Sequence, residues 1–212
     1  MFDPTLYFIT DSTEYTGEEF LRRVKAALEG GATLLQLREK DRSTREYIET
    51  AKKVHELARA YNVPLIIDDR LDVALAVGAE GVHLGQSDMP VAAARRIAGP
   101  GMIIGATAKT VEQAKEAEAQ GADYLGVGAI YPTTTHVKTK ITPVSTLDAI
   151  CKEVSIPVNA IGGLNKTNLG VLEGVGISGI CVVSAIMKAP DPEAEARILL
   201  QMSKDLISYS LH

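Results

Sequence analysis

The stretch from Pro64 to Gly85, PLIIDDRLDVALAVGAEGVHLG, holds one complete period of the chain's rhythm. A short aliphatic run, Pro64–Asp69, ends in charged residues. A helical pattern follows over Leu71–Val77, the phrase Gly78-Ala79-Glu80 turns the chain, and a second apolar run occupies Gly81–Gly85. Short, continuously apolar runs are what parallel strands need when both faces are covered. Outward from this unit the pattern repeats. Further runs lie at Leu6–Thr10, Leu34–Glu39, Met102–Thr107, Tyr124–Ile130, Pro157–Gly163 and Gly179–Ile186, which makes eight in all.

Helical segments fill the gaps. Apolar spacing marks Gly17–Glu29 and Thr44–Tyr61, and shorter stretches follow at Val91–Ala98, Val111–Gln120, Val144–Val154 and Lys166–Val175. Ser43 with Glu46 three residues on reads as a capping box. Asp191 then Pro192 reads as N-cap and first residue of a last helix, Pro192–Tyr209. Gly30-Gly31-Ala32 and Gly121-Ala122-Asp123 repeat the punctuation after Val77, a left-handed glycine closing a helix. Eight βα units with right-handed crossovers predict an α/β fold, a TIM (β/α)8 barrel forming a single domain over residues 1–212. A doubly wound open sheet is the weaker alternative, because Asp11-Ser12-Thr13 follows the first run where a glycine-rich fingerprint would stand.

Composition removes several function classes. The 212 residues carry 22 Lys and Arg against 27 Asp and Glu, a formal charge of −5, which argues against a nucleic-acid partner. Two cysteines exclude a disulfide scaffold and a Cys-rich zinc site. No apolar run approaches the ~18 residues of a membrane span, and MFDPTLYFITDS lacks the basic start of a signal peptide. A soluble cytoplasmic protein is the expectation, with homo-oligomerisation left open.

In such a barrel the chemistry sits at the C-terminal ends of the strands. Polar residues gather there: Gln36, Arg38, Glu39 and Lys40; Asp68, Asp69 and Arg70; His83, Gln86 and Asp88; Thr107 and Lys109; and Thr133, Thr134, Thr135, His136, Lys138 and Lys140. Asp69 and Asp88 end adjacent runs, and a pair of carboxylates is the usual protein share of a Mg²⁺ site. Each could instead cap a helix, Asp88 the one opening at Pro90. Arg38, Lys40, Lys138 and Lys140 supply cations; a lone lysine is more often a solvated charge, but these converge on one mouth. Gly162-Gly163 and Val183-Ser184-Ala185 match the backbone phosphate site common in these barrels. The residues thus suggest small phosphorylated substrates, one of them a metal-bound diphosphate. Cys151 and Cys181 read as core residues, and His83 more often as structural.

The phrases YFITD (Tyr7–Asp11), QLREK (Gln36–Lys40), IIDDR (Ile66–Arg70), GVHLGQSD (Gly81–Asp88), ADYLGVGAIYPTTT (Ala122–Thr135), AIGGL (Ala160–Leu164) and VVSAI (Val182–Ile186) resemble, in order, the thiamine phosphate synthase family. The resemblance implies an enzyme, a transferase joining 4-amino-5-hydroxymethyl-2-methylpyrimidine diphosphate to 4-methyl-5-(2-hydroxyethyl)thiazole phosphate or its carboxylated form. The products would be thiamine phosphate and diphosphate. It implies pyrimidine diphosphate contacts at Gln36, Leu37, Arg38, Glu39, Lys40, Asp68, Thr107 and Lys138, with Arg38, Lys40, Thr107 and Lys138 catalytic. It places Mg²⁺ at Asp69 and Asp88. Thiazole phosphate contacts fall at Thr133, Thr134, Thr135, Gly163, Val183 and Ser184. The chain departs from the family pattern at Asp68, where Asn is usual, and at His136, where Lys is usual and Lys138 would take over. A thiazole tautomerase of the same fold would carry a histidine where Lys109 stands. A non-catalytic thiazole-phosphate binder is the remaining alternative.

Overall fold

A four-residue parallel strand leaves its backbone groups half paired unless both neighbours are present, and only a closed ring gives every strand two. The computed structural model, which describes residues 2–133 and 140–210, meets that demand. Its strands are β1 (Leu6–Ile9), β2 (Leu34–Leu37), β3 (Leu65–Asp68), β4 (Gly81–Leu84), β5 (Ile103–Ala108), β6 (Tyr124–Gly128), β7 (Val158–Ile161) and β8 (Gly179–Val182). All pair in parallel in chain order, and β8 closes on β1 with Tyr7 opposite Cys181.

The helices α1 (Gly17–Glu29), α2 (Thr44–Ala60), α3 (Leu71–Val77), α4 (Val91–Ala98), α5 (Val111–Ala119) and α6 (Val144–Glu153) follow the first six strands in turn. The short α7 (Ser184–Met187) and the long α8 (Pro192–Tyr209) follow β8. The expected caps are present. Ser43 accepts from the Glu46 amide while Glu46 reaches back, and Asp191 accepts from the Ala194 amide at 3.0 Å. Gly31, Gly78 and Gly121 have φ of 98°, 69° and 95°, the left-handed turns expected after α1, α3 and α5.

One expected helix is largely missing. Lys166–Val175 yields only a four-residue 3₁₀ turn, Leu169–Leu172. Asn165 accepts from the Thr167 amide and Asn168 from the Asn165 amide, both at 2.9 Å. These side-chain bonds take up the groups a helical first turn would need. The short α7 lay hidden inside the apolar run that begins at Gly179.

Strand alternation divides the apolar residues into two cores. Leu6, Phe8, Leu35, Leu37, Ile67, Val82, Leu125 and Val182 point outward and pack with the helices. Tyr7, Ile9, Leu34, Ile66, Tyr124 and Cys181 point inward and fill the barrel. The N-terminal segment closes the lower end: Phe2 meets Tyr124 edge-on at 5.5 Å, and the Pro4 carbonyl accepts from Asn159 Nδ2 at 2.7 Å. Gly105 lies opposite Tyr124 across the β5–β6 pair, and a Cβ there would sit inside the tyrosine ring.

Gly105→Ala should therefore destabilise the protein by about 1–3 kcal/mol through overpacking. Gly101→Ala, where an added Cβ meets nothing within 4 Å, should shift stability by less than about 0.5 kcal/mol. Urea midpoints of the two variants check this; equal midpoints would remove the steric argument.

Candidate active site

Inward and terminal positions of all eight strands line one cavity of about 580 Å³ at the C-terminal end of the barrel. One wall is charged. Lys40, from the loop after β2, contacts both Asp68, at 2.8 Å, and Asp69. Arg38 Nε stands 3.9 Å from Asp68 Oδ2. Asp88 Oδ2 accepts from the Gly85 amide at 2.7 Å, and α4 has no side-chain cap, so the capping alternative for Asp88 is not realised. Asp69 has φ of 60°, a left-handed conformation uncommon for a residue with a Cβ. Its amide donates to the His83 carbonyl at 2.8 Å, which holds the strained residue at the rim.

The three carboxylates do not behave alike. Burial and the neighbouring Asp69 charge push Asp68 up to about 6, although Lys40 and Arg38 favour its ionised form. Burial also opposes ionisation of Asp69, but hydrogen bonds from Lys40 and Asp88 hold it below the usual carboxylate range. Burial and the hydrogen bond to Asp69 raise Asp88. Burial works against the Lys40 charge, and the carboxylates more than offset it, so its pKa is raised. Asp69 and Asp88 thus shift each other in opposite directions, and a divalent cation between them would relieve their repulsion. Among the described residues no group of three His, Cys, Asp or Glu side chains forms a complete metal cage. A two-carboxylate donor set suits Mg²⁺, which keeps waters and takes substrate oxygens.

The opposite wall is backbone. Gly162 and Gly163 have φ of 105° and 66°, and a Cβ on either would come within 2.5 and 2.8 Å of Ala129 and Pro132 respectively. Only glycine brings the chain this close. Val183 and Ser184 line the cavity beside them, where α7 starts. Arg23 fixes the far end of α7 by donating to the Met187 and Ala189 carbonyls, both at 2.9 Å.

Gln36, Arg38, Lys40, Asp68, Asp69, Asp88, Thr107, Thr133, Gly163, Val183 and Ser184 all line this one cavity. Leu37 and Glu39 do not. Leu37 points outward into the helix-facing core, and Glu39 accepts from Ser12 Oγ at 2.7 Å with Arg42 3.6 Å away. Thr134, Thr135, His136 and Lys138 lie outside the described residues. The sequence reading passed over Tyr7 and Tyr124 and set His83 aside. Tyr7 is two residues before Ile9 and shares its inward face, so counting by twos along the first run would have found it. His83 is buried, and that burial pushes its imidazole down to about 4, so it is neutral near pH 7. Cys181 also lines the cavity, and burial raises its thiol far above the reactive range.

The family model described as thiamine monophosphate synthase matches residues 6–186. A protein of Streptococcus pneumoniae serotype 4 named thiamine-phosphate synthase 2 is 50% identical over 203 residues, covering 96% of this chain and 97% of the relative. Thiamine-phosphate synthase of Methanobrevibacter smithii is 46% identical over 202 residues, covering 95% and 96%. The solved thiamine phosphate pyrophosphorylase from Pyrococcus furiosus superposes with a TM-score of 0.87 at 43% identity, covering 96% of each chain.

The raised Asp68 carries a sign. Its folded pKa of about 6 exceeds the ordinary 3.8, so its stabilising contribution is full below pH 3.8 and is lost as pH rises through 6. Asp68→Asn should gain about 1–3 kcal/mol over the native chain at pH 8 and little at about pH 4. Urea unfolding at both pH values checks this, and a gain independent of pH would remove the buried-charge account.

Proposed function

The chain belongs to the thiamine monophosphate synthase family, and on that footing we propose that it is a thiamine phosphate synthase. It joins 4-amino-5-hydroxymethyl-2-methylpyrimidine diphosphate to 4-methyl-5-(2-hydroxyethyl)thiazole phosphate and releases thiamine phosphate and diphosphate. The observation that carries this reading is the two-sided cavity. Cations, carboxylates and Thr107 face a glycine-built wall across one space of about 580 Å³. That arrangement suits two phosphorylated ligands of unlike charge.

The roles follow from the residues. Arg38 and Lys40 counter the charge that builds on the leaving diphosphate, the forked guanidinium by hydrogen bonds and the ammonium as a point charge. Thr107 Oγ1 binds a diphosphate oxygen. Gly163, Val183 and Ser184 hold the thiazole phosphate through backbone amides. Asp69 and Asp88 would hold Mg²⁺, which when bound supplies counter-charge for the diphosphate. The bond between the exocyclic methylene and the diphosphate oxygen breaks, its electron pair leaving with the oxygen. The thiazole nitrogen lone pair forms the new carbon–nitrogen bond. Electrophile and nucleophile both come from substrates, in keeping with a cavity whose one thiol, Cys181, is kept protonated. The protein's task is positioning. Lys109 lines the cavity after β5, where the tautomerase reading needs a histidine, and this favours the synthase.

The purified chain with both substrates and Mg²⁺ should form thiamine phosphate and diphosphate in equal amounts. Absence of product while thiazole phosphate still binds would overturn the reading. Asp69→Asn, which tolerates the left-handed backbone, should lower turnover by about 100-fold or more and leave the unfolding midpoint near that of the native chain. Full activity of that variant at low Mg²⁺ would remove Asp69 from the metal site.

A further inference from the structure

Five side chains cross the barrel floor from β2 to β5 in one unbroken line of hydrogen bonds. Gln36 Nε2 donates to Tyr7 Oη at 2.6 Å. Tyr7 Oη and Tyr124 Oη are 2.7 Å apart, and Tyr124 Oη lies 3.0 Å from His83 Nδ1. His83 Nε2 lies 3.0 Å from Thr107 Oγ1. The two phenols and the imidazole are buried, so a missing partner along the line is costly. The rings have places made for them: a Cβ at Gly105 would overlap the Tyr124 ring, and one at Gly126 would press within 3.3 Å of His83.

Counting hydrogens sets the direction of the line. An amide nitrogen only donates, so Tyr7 oxygen accepts from Gln36. A phenol has one hydrogen, and the Tyr7 hydrogen then goes to Tyr124. The Tyr124 hydrogen goes to His83 Nδ1. A neutral imidazole has one hydrogen, which is thereby placed on Nε2 and given to Thr107. A second ring hydrogen would face the Tyr124 hydroxyl and turn the phenolic hydrogens back toward an amide that already donates. Thr107 oxygen accepts, and its own hydrogen is left for whatever occupies the cavity.

We propose that Tyr7, Tyr124 and His83 are positioning residues that form a one-way relay, fixing His83 as the Nε2–H tautomer and Thr107 as a hydrogen-bond donor to an anionic ligand oxygen. The inference rests on the synthase reading for the identity of that oxygen, on the leaving diphosphate. It does not rest on it for the tautomer. The relay explains why aromatic hydroxyls and a histidine occupy a barrel floor that aliphatic side chains could fill. They remove the choice a threonine hydroxyl otherwise has between donating and accepting, before the ligand arrives.

The full chain labelled with ¹⁵N at histidine tests this in the ligand-free state, with the His83 signals assigned through His83→Gln. The expected result is a protonated Nε2 and an unprotonated Nδ1. A protonated Nδ1 in the native chain means the line runs the other way and overturns the proposal. Tyr124→Phe should release the ring to a mixture of tautomers and lower kcat by about tenfold, with KM for the thiazole phosphate unchanged. An unchanged tautomer and kcat would also overturn it. Thr107→Val should cost about 100-fold in kcat and Thr107→Ser should restore most of it. Should the native chain make no thiamine phosphate, the synthase reading falls while the tautomer still decides the relay. Inorganic diphosphate then replaces kcat as the readout, and it should bind Thr107→Ser more tightly than Thr107→Val.

Discussion

A strand turns its side chains alternately to two faces, and in a closed barrel one of those faces has nowhere to go but the axis. Everything functional in this protein depends on that constraint. Outward positions carry Leu, Val, Ile and Phe into the helix-facing core. Inward positions must fill a narrow tube below and open a cavity above. Tyr7 and Ile9, Leu34 and Gln36, Ile66 and Asp68, and Ile103 and Thr107 show the gradient strand by strand. The lower member is apolar or aromatic and the upper one lines the cavity. Glycines at 105 and 126 then set how much space the rings on neighbouring strands receive.

The charged wall follows from crowding. Asp68 at the end of β3, Asp69 just after it and Asp88 in the loop after β4 lie around a single lysine. They do not all ionise equally: Asp69 is held low, while Asp68 and Asp88 are held high. A site in this state favours positive charge close to Asp68 and Asp88, whatever the net charge of the chain. Asp69 takes its place with a left-handed backbone. A strand continued in regular geometry would send this side chain outward, toward the helices, so the distortion is what delivers the carboxylate to the mouth.

Most of the architecture was legible in the sequence because it rests on short-range rules. Ser43 and Glu46 announce α2, Asp191 and Pro192 announce α8, and Gly78 ends α3 as its position suggests. The cavity-lining residues at strand ends were legible because the barrel directs strand ends to one mouth. What escaped depends on three-dimensional partners. The segment from Lys166 has helical spacing, but side-chain bonds of Asn165 and Asn168 divert it. Leu37 and Glu39 sit inside a motif of cavity residues, yet alternation turns Leu37 outward and Ser12 draws Glu39 aside. Tyr7, Tyr124 and His83 looked like filler, since nothing in a linear pattern shows that residues 7, 83 and 124 meet in one line of hydrogen bonds.

The segment around Phe2 and Pro4 stoppers the lower end of the barrel, with Phe2 against Tyr124 and Pro4 bonded to Asn159. With that end filled, the space left inside the ring lies where the strands end, among Asp68, Thr107 and Gly163. A plug on the side away from the charged wall thereby decides which face of the barrel stays open to the outside.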